Sequence, residues 1–288
     1  MQAWLAESGL NRVAYLRLKA AWKAADRLAA LRVPGRDRVA EKTSWFSHWK
    51  LLAAASLLLV LGSAGGMLYL RGQRPSMQVY ATQVGKTQQV RLADGSRIEL
   101  NTNSRVRTEV TSTARTVTLD SGEVYFDIVH DETRPFVVYA GNRRITDLGT
   151  RFSVYRDGED VRVIVQEGRV RVDVLDGPRT DTPMVVAGGH AVIAHGAQTL
   201  LVAKDSQDIT NDLSWRDGKL VFDQQPLAEA AEQFNRYNHQ RILVEGQARK
   251  IRIGGSFKAD NVAGFAALLH QGFGLTISKR GNDIVVSR

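Results

Sequence analysis

The stretch Val90-Arg91-Leu92-Ala93-Asp94-Gly95-Ser96-Arg97-Ile98-Glu99-Leu100 decides the fold of the longest part of the chain. Val90 and Leu92 alternate with polar residues, Ala93 to Ser96 breaks the run, and Ile98 and Leu100 alternate again. A period of two interrupted by Asp-Gly predicts a β-hairpin. The same device returns downstream. Asp120-Ser121-Gly122-Glu123 precedes Val124, Phe126 and Ile128. Arg156-Asp157-Gly158-Glu159 precedes Val161, Val163 and Val165. Gln166-Glu167-Gly168-Arg169 joins that run to Val170, Val172 and Val174. Each is expected to be a turn between strands. Many short strands with glycine turns predict an all-β domain over residues 79–205, built as a sandwich, roll or solenoid. Gly95, Gly122, Gly149 and Gly168 would supply the turn conformations that residues with a Cβ adopt poorly.

Towards the C-terminus the period changes. Trp215 to Phe222 reads as a turn and a strand, and Pro226 can open a helix at its first position. Leu227, Ala230, Ala231, Phe234 and Tyr237 fall on one helical face, followed by a short strand at Ile242 to Val244. The unit then repeats: Ile251 to Phe257 is extended, Asn261 can cap, and Val262, Phe265, Leu268 and Leu269 form a second helical face. Strands at Leu275 to Ile277 and Ile284 to Val286 finish it. Two strand–helix–strand units predict a small α+β domain over residues 214–288.

Towards the N-terminus stands Leu51 to Leu70, twenty residues without a charge. At about 1.5 Å per residue such a helix spans a hydrocarbon core of about 30 Å. Trp45, Trp49 and Tyr69 sit near its ends, as interfacial aromatics do. A cleaved signal peptide would place a shorter run nearer the start, and a core helix would show a polar face, which this segment lacks. Residues 51–70 are therefore expected to be a single transmembrane helix, with basic and periplasmic-side linkers at 36–50 and 71–78. Residues 1–50 hold ten Lys/Arg against four Asp/Glu, which favours a cytoplasmic N-terminus. Residues 1–35 read as a helical segment. Tyr15, Leu18, Trp22, Ala25 and Leu28 recur at three- and four-residue steps, Ser8 can cap, and Val33-Pro34-Gly35 ends the run. One amphipathic helix cannot bury its own stripe, so it either docks on a partner or lies against a second copy or the membrane surface.

The chemistry of catalysis is missing from the pattern. The chain has no cysteine, which excludes disulfides, thiolate metal sites and cysteine nucleophiles. His190 and His195 lie five apart, so on one strand they point to opposite faces, and no third ligand accompanies them. No Gly-x-Ser-x-Gly elbow and no Walker-type glycine loop occur. The net charge of +9 is spread along the chain without a Lys/Arg block, which argues against direct nucleic-acid binding. No enzyme activity, metal or cofactor is expected.

Five motifs occur in a fixed order. They are Val90 to Asn101, Leu119-Asp120-Ser121-Gly122-Glu123-Val124-Tyr125-Phe126-Asp127, Arg134-Pro135-Phe136-Val137-Val138, Leu148-Gly149-Thr150-Arg151-Phe152-Ser153-Val154 and Val165 to Val170. This series resembles the FecR domain. The C-terminal residues Phe222, Pro226-Leu227, Asn235-Arg236-Tyr237, Ile253-Gly254-Gly255-Ser256-Phe257 and Ile284-Val285-Val286 resemble the C-terminal subdomain of FecR-like regulators, itself similar to the short secretin/TonB N-terminal signalling domain. Most of these are core or turn residues, so they identify the fold and no contact surface. Trp4-Leu5-Ala6, Ser8 to Tyr15 and Trp22 resemble the later part of the family's cytoplasmic domain. Members of the family usually carry a further helix before that point, and Gly9 and Asn11 stand where the pattern usually has Pro and His. Either translation begins upstream, or residues 1–35 are a shortened sigma-binding segment with weakened or lost sigma binding.

The resemblance implies a single-pass anti-sigma factor of the bacterial inner membrane, with a cytoplasmic N-terminus and periplasmic C-terminal domains. Its implied partners are an extracytoplasmic-function sigma factor, the signalling domain of a TonB-dependent outer-membrane receptor concerned with ferric chelate uptake, and periplasmic and intramembrane proteases. Trp4, Tyr15, Leu18 and Trp22 would contact the sigma factor. Gly62, Gly65 and Gly66 would ease unwinding for intramembrane cleavage, unless they pack helix on helix. The alternative is a membrane-anchored periplasmic scaffold or binding protein without a sigma partner.

Overall fold

The computed structural model describes residues 13, 15–23, 77–111, 114–175, 184–196 and 198–288. The chain divides into two units, Met1–Leu68 and Tyr69–Arg288. In the first, residues 15–23 are helical. The predicted linker at 36–50, the predicted span at 51–70 and residues 71–76 of the linker predicted at 71–78 lie outside the described residues, and Gln78 at the end of that linker already belongs to a strand. No helix among the described residues is long and apolar enough to cross a membrane.

The second unit begins with β1 (Gln78–Ala81), β2 (Gln88–Arg91), β3 (Arg97–Leu100), β4 (Arg105–Val110) and the long β5 (Arg115–Asp127). It continues through β6 (Val137–Ala140), β7 (Arg143–Asp147), β8 (Arg151–Asp157) and β9 (Asp160–Glu167). Then come β10 (Arg169–Val174), β11 (Met184–Ala187), β12 (His190–His195) and β13 (Gln198–Ala203). They form one 13-stranded sheet that branches at β5. One half runs β1-β4-β5-β6-β7-β10-β11, and the other β2-β3-β5-β8-β9-β12-β13. Alternate residues of both halves face one apolar core, with Val106, Val117, Val138 and Ile145 from the first half and Leu100, Phe126, Phe152 and Val163 from the second. The Phe126 and Phe152 rings stack with centroids 4.9 Å apart.

The chain passes between the halves at corners. The segment Asp120 to Glu123, expected to be a hairpin turn, is such a corner inside a continuous strand. β5 pairs with β4 and β6 before it, and with β3 and β8 after it. A register shift opposite Arg105 and Val106 marks a bulge there. The inward set consequently passes from Val117 and Leu119 to Val124 and Phe126. Gly122 has φ +87°, and a Cβ on it would stand 2.5 Å from Ser104 Cα. Gly168 turns β9 into β10, which pair with other strands and not with each other. A Cβ there would stand 2.2 Å from the Gly149 carbonyl oxygen, so two corners meet where only hydrogen fits. In that corner Asp147 accepts from Gly149 N at 3.1 Å and from the Thr150 hydroxyl, while burial pushes its carboxyl up to about 6.

A short helix α1 (Ser206–Asp212), capped by the Asp205 side chain, and a 3-10 turn at Ser214–Asp217 lead into the α+β part. There β14 (Lys219–Pro226), α2 (Leu227–Tyr237) and β15 (Ile242–Val244) are followed by β16 (Arg252–Lys258), α3 (Val262–Phe273), β17 (Thr276–Arg280) and β18 (Asp283–Ser287). β14 pairs with β16, and β15-β18-β17 form a second sheet. Pro226 ends β14 and stands at the N-cap, one position before the helix start expected for it. Asn261 caps α3 by accepting from Gly264 N at 2.9 Å. Leu227, Ala230, Ala231, Phe234 and Tyr237 of α2 are buried on one face. Phe234 stacks on Phe265 of α3 with centroids 4.2 Å apart, an arrangement that adds about 0.5–1.5 kcal/mol beyond area burial. This core also takes in Tyr125, Ile164 and Ala191 from the outer face of the second sheet half. The α+β part therefore lies on that face.

Candidate functional site

Tyr15, Leu18 and Trp22 share one face of the helical segment at 15–23, as steps of three and four require. Leu18 is 70% and Trp22 74% exposed. Tyr15 is half-buried, and the Lys19 ammonium stands 5.8 Å from its ring centroid. A helix showing Leu and Trp on one face presents the apolar anchors that a groove on a partner accepts. Trp4, Gly62, Gly65 and Gly66 lie outside the described residues.

The second candidate region is polar and buried. On β3, β5 and β8 the residues that alternate with the core point outward, and period-two reading assigns such residues to solvent. Here Glu123, Tyr125 and Ser153, with Asn101 one residue past β3, are at most 4% exposed, because the α+β part covers them. Glu123 accepts from Asn101 Nδ2 at 3.0 Å, Ser153 Oγ at 3.1 Å and Arg236 Nη2 at 2.8 Å. Asn101 Nδ2 also donates to the Tyr237 hydroxyl oxygen at 2.8 Å. The Thr102 hydroxyl donates to the Arg236 carbonyl at 3.0 Å. The Arg236 guanidinium lies over the Tyr155 ring at 4.4 Å. Beside this cluster Arg216 Nε donates to Glu99 at 3.0 Å, and its guanidinium stacks 3.7 Å from the Tyr125 ring centroid. The Tyr125 hydroxyl is committed to Gln166 at 2.7 Å.

The electrostatics follow from this geometry. Burial opposes ionisation of Glu123, but Arg236 and Arg162 nearby, with hydrogen bonds from Arg236 and Asn101, outweigh it and hold the carboxyl below its usual range. Burial likewise opposes the charge on Arg236, and Glu123 more than restores it. The Tyr237 hydroxyl, desolvated by burial, is pushed up to about 12 and stays protonated. A buried ion pair of this kind adds little net stability, but removing one partner is expensive. The pair therefore fixes how the α+β part sits on the sheet more than it strengthens either part.

Asn101, Glu123, Arg236 and Tyr237 all belong to the sequence motifs, yet spacing alone gave them no role beyond packing. The available signal was an ionisable residue beside the apolar face of α2, and a carboxylate directly before the apolar run Val124-Tyr125-Phe126.

His190 and His195 stand at opposite ends of β12, opposite Val165 and Asp160. His195 contacts the Asp160 carboxylate, whose hydrogen bond and charge raise its pKa. Among the described residues no group of three His, Asp or Glu side chains could hold a metal ion.

Residues 78–171 match the family model described as FecR protein. No curated protein matches the chain. Two crystal structures of a protein provisionally assigned as an anti-sigma factor, from Parabacteroides distasonis ATCC 8503 at 1.65 and 2.50 Å resolution, are similar in fold. Each is 24% identical with a TM-score of 0.60. The first match covers 73% of this chain and 98% of the other, the second 74% and 99%.

Proposed function

We propose that this chain, which carries a FecR domain over residues 78–171, is an anti-sigma factor and signal transducer. The observation that carries this reading is the match of residues 78–171 to that family, and the fold likeness to the Parabacteroides distasonis protein supports it. The exposed Leu18 and Trp22 supply a surface for a sigma factor of the extracytoplasmic-function class. In this reading residues 51–70 anchor the chain in the inner membrane, with the N-terminus in the cytoplasm and the Tyr69–Arg288 unit in the periplasm.

The signal enters at the α+β part. Its strand β17 is a sheet edge with largely exposed side chains. The signalling domain of a TonB-dependent receptor engages that edge by adding a strand, with main-chain hydrogen bonds supplying affinity. The Glu123–Arg236 contact then carries the change to the FecR domain. Periplasmic and intramembrane proteases act next, the second near Gly62, Gly65 and Gly66, and release the sigma-bound segment.

The test is capture of the host's extracytoplasmic-function sigma factors by the full chain, with Trp22→Ala and Leu18→Ala alongside. One sigma factor should be captured, and each variant should lose most of it. Capture of none by the unaltered chain favours a membrane-anchored scaffold, and capture untouched by both substitutions sinks the assignment of the helix.

A further inference from the structure

We infer that the cleft between the β2–β3 hairpin and Arg216 binds an extended acidic peptide segment of a partner protein. The cleft holds about 290 Å³ and is floored by the Tyr125 ring on which Arg216 stacks. One row of outward side chains crosses five strands beside it. In register, Arg91 stands opposite Arg97, Arg97 opposite Asp127, Asp127 opposite Arg151 and Arg151 opposite Glu167. From Arg97 onward the signs alternate, and Arg151 reaches both Asp127 and Glu167 at 3.3 Å. At Arg91 the alternation fails. Two arginines directly opposite one another repel.

Asp127 faces Arg97 across the ladder but is paired with Arg151. Among the described residues neither Arg91 nor Arg97 has a carboxylate within ion-pair distance. Glu99 is held by Arg216 at 3.0 Å and Asp127 by Arg151 at 3.3 Å. The row therefore ends in two guanidinium groups that make no ion pair, on the wall of a cleft, where incoming carboxylates would relieve their repulsion. Guanidinium groups take carboxylates with two parallel hydrogen bonds, which gives direction as well as charge.

The shape of the site selects a chain over a small anion. β2 is the end strand of its sheet half, paired to β3 alone. Its outer edge offers free main-chain groups to an added strand. In an extended peptide, side chains two residues apart share a face at a spacing of about 7 Å. A segment laid along β2 with acidic residues at such positions would place a carboxylate by Arg91 and Arg97. The site uses residues of the Tyr69–Arg288 unit only, so it stands or falls separately from sigma-factor binding by the N-terminal helix.

The probe is fluorescein-labelled hexaglutamate, titrated against the full chain in detergent micelles and read by anisotropy. Arg91→Glu/Arg97→Glu should weaken binding by more than about tenfold. Arg105→Glu/Arg280→Glu alters exposed charge elsewhere by the same amount and should weaken it less than about threefold. Arg91→Gln/Arg97→Gln removes the charges without reversing them and should fall between the two, with thermal melting confirming that each variant is folded. Free glutamate at matched carboxylate concentration should not compete. No binding by the unaltered chain, equal losses in both reversed variants, or full competition by free glutamate would each overturn the proposal.

Discussion

The two ends of β5 are built from the same alternation and meet opposite surroundings. Before the corner, Val117 and Leu119 face the core while Thr116, Thr118 and Asp120 face outward and stay half-buried. After it, Val124 and Phe126 face the same core, but Glu123 and Tyr125 on the outward side are buried as well. The first half of the sheet keeps a wet outer face, with charges paired in ladders such as Arg107–Asp120 and Arg144–Asp173. The second half lends its outer face to the α+β part. Polar residues there hold two parts of one unit in register, whereas in the first half they pair with one another in contact with water. The comparison teaches that a carboxylate's worth on a strand depends on what covers it.

The largest effect should come from breaking the covered pair. Arg236→Ala leaves the Glu123 carboxylate buried with its main counter-charge removed and should cost about 3–5 kcal/mol, read by urea unfolding of the Tyr69–Arg288 unit. Glu123→Met/Arg236→Met should recover much of that loss, because neither charge then needs a partner. A loss in the double variant as large as in the single would refute the view that the pair sets geometry more than strength. Its pH dependence has a definite sign. The folded carboxyl sits below its usual value of 4.5. The contribution of Glu123 is therefore full above that value and is lost as pH falls through the lower folded value.

The corner between the two ends supplies the next test. Gly122→Ala forces a Cβ onto φ +87° and against the Ser104 backbone, and should cost about 2–4 kcal/mol. Gly158 sits at φ +58° with nothing within 4 Å of a built Cβ, so Gly158→Ala should cost only about 1 kcal/mol. Both are measured by the same unfolding experiment. Equal losses would mean that close approach at the corner contributes nothing beyond backbone conformation.

That corner also shows where the sequence stops being legible. Asp-Ser-Gly-Glu has the same local chemistry whether a chain reverses or bends into a second sheet half. The difference is made by β4 and β6 on one side and β3 and β8 on the other, and no local window contains those pairings. Strands such as Val161 to Val165 were readable because their inward residues meet one continuous core. The α2 face from Leu227 to Tyr237 was readable for the same reason, at a helical period. The Tyr15, Leu18, Trp22 stripe was visible because its spacing is local. The Asn101–Glu123–Arg236–Tyr237 cluster was not, since Glu123 meets Arg236 more than a hundred residues later in the chain.

The smallest effect belongs to the wet end of β5. Arg107 holds Asp120 with Nη2 to Oδ1 at 2.7 Å and Nε to Oδ2 at 3.0 Å, a geometry as good as that of the buried pair. Arg105 stands 4.0 Å away as a second counter-charge. If geometry alone decided the value of an ion pair, Asp120→Ala would match Arg236→Ala. Exposure decides otherwise, because water solvates the arginine that is left and salt screens the pair while it exists. Asp120→Ala should therefore lower stability less than any substitution above. At 1 M salt, where the screening length is about 3 Å, the difference from the unaltered unit should vanish. The loss caused by Arg236→Ala should persist there, since no salt reaches the buried carboxylate. A salt-insensitive loss at Asp120 would mean that the outer face of the first half is also covered, and the contrast between the two ends of β5 would fall with it.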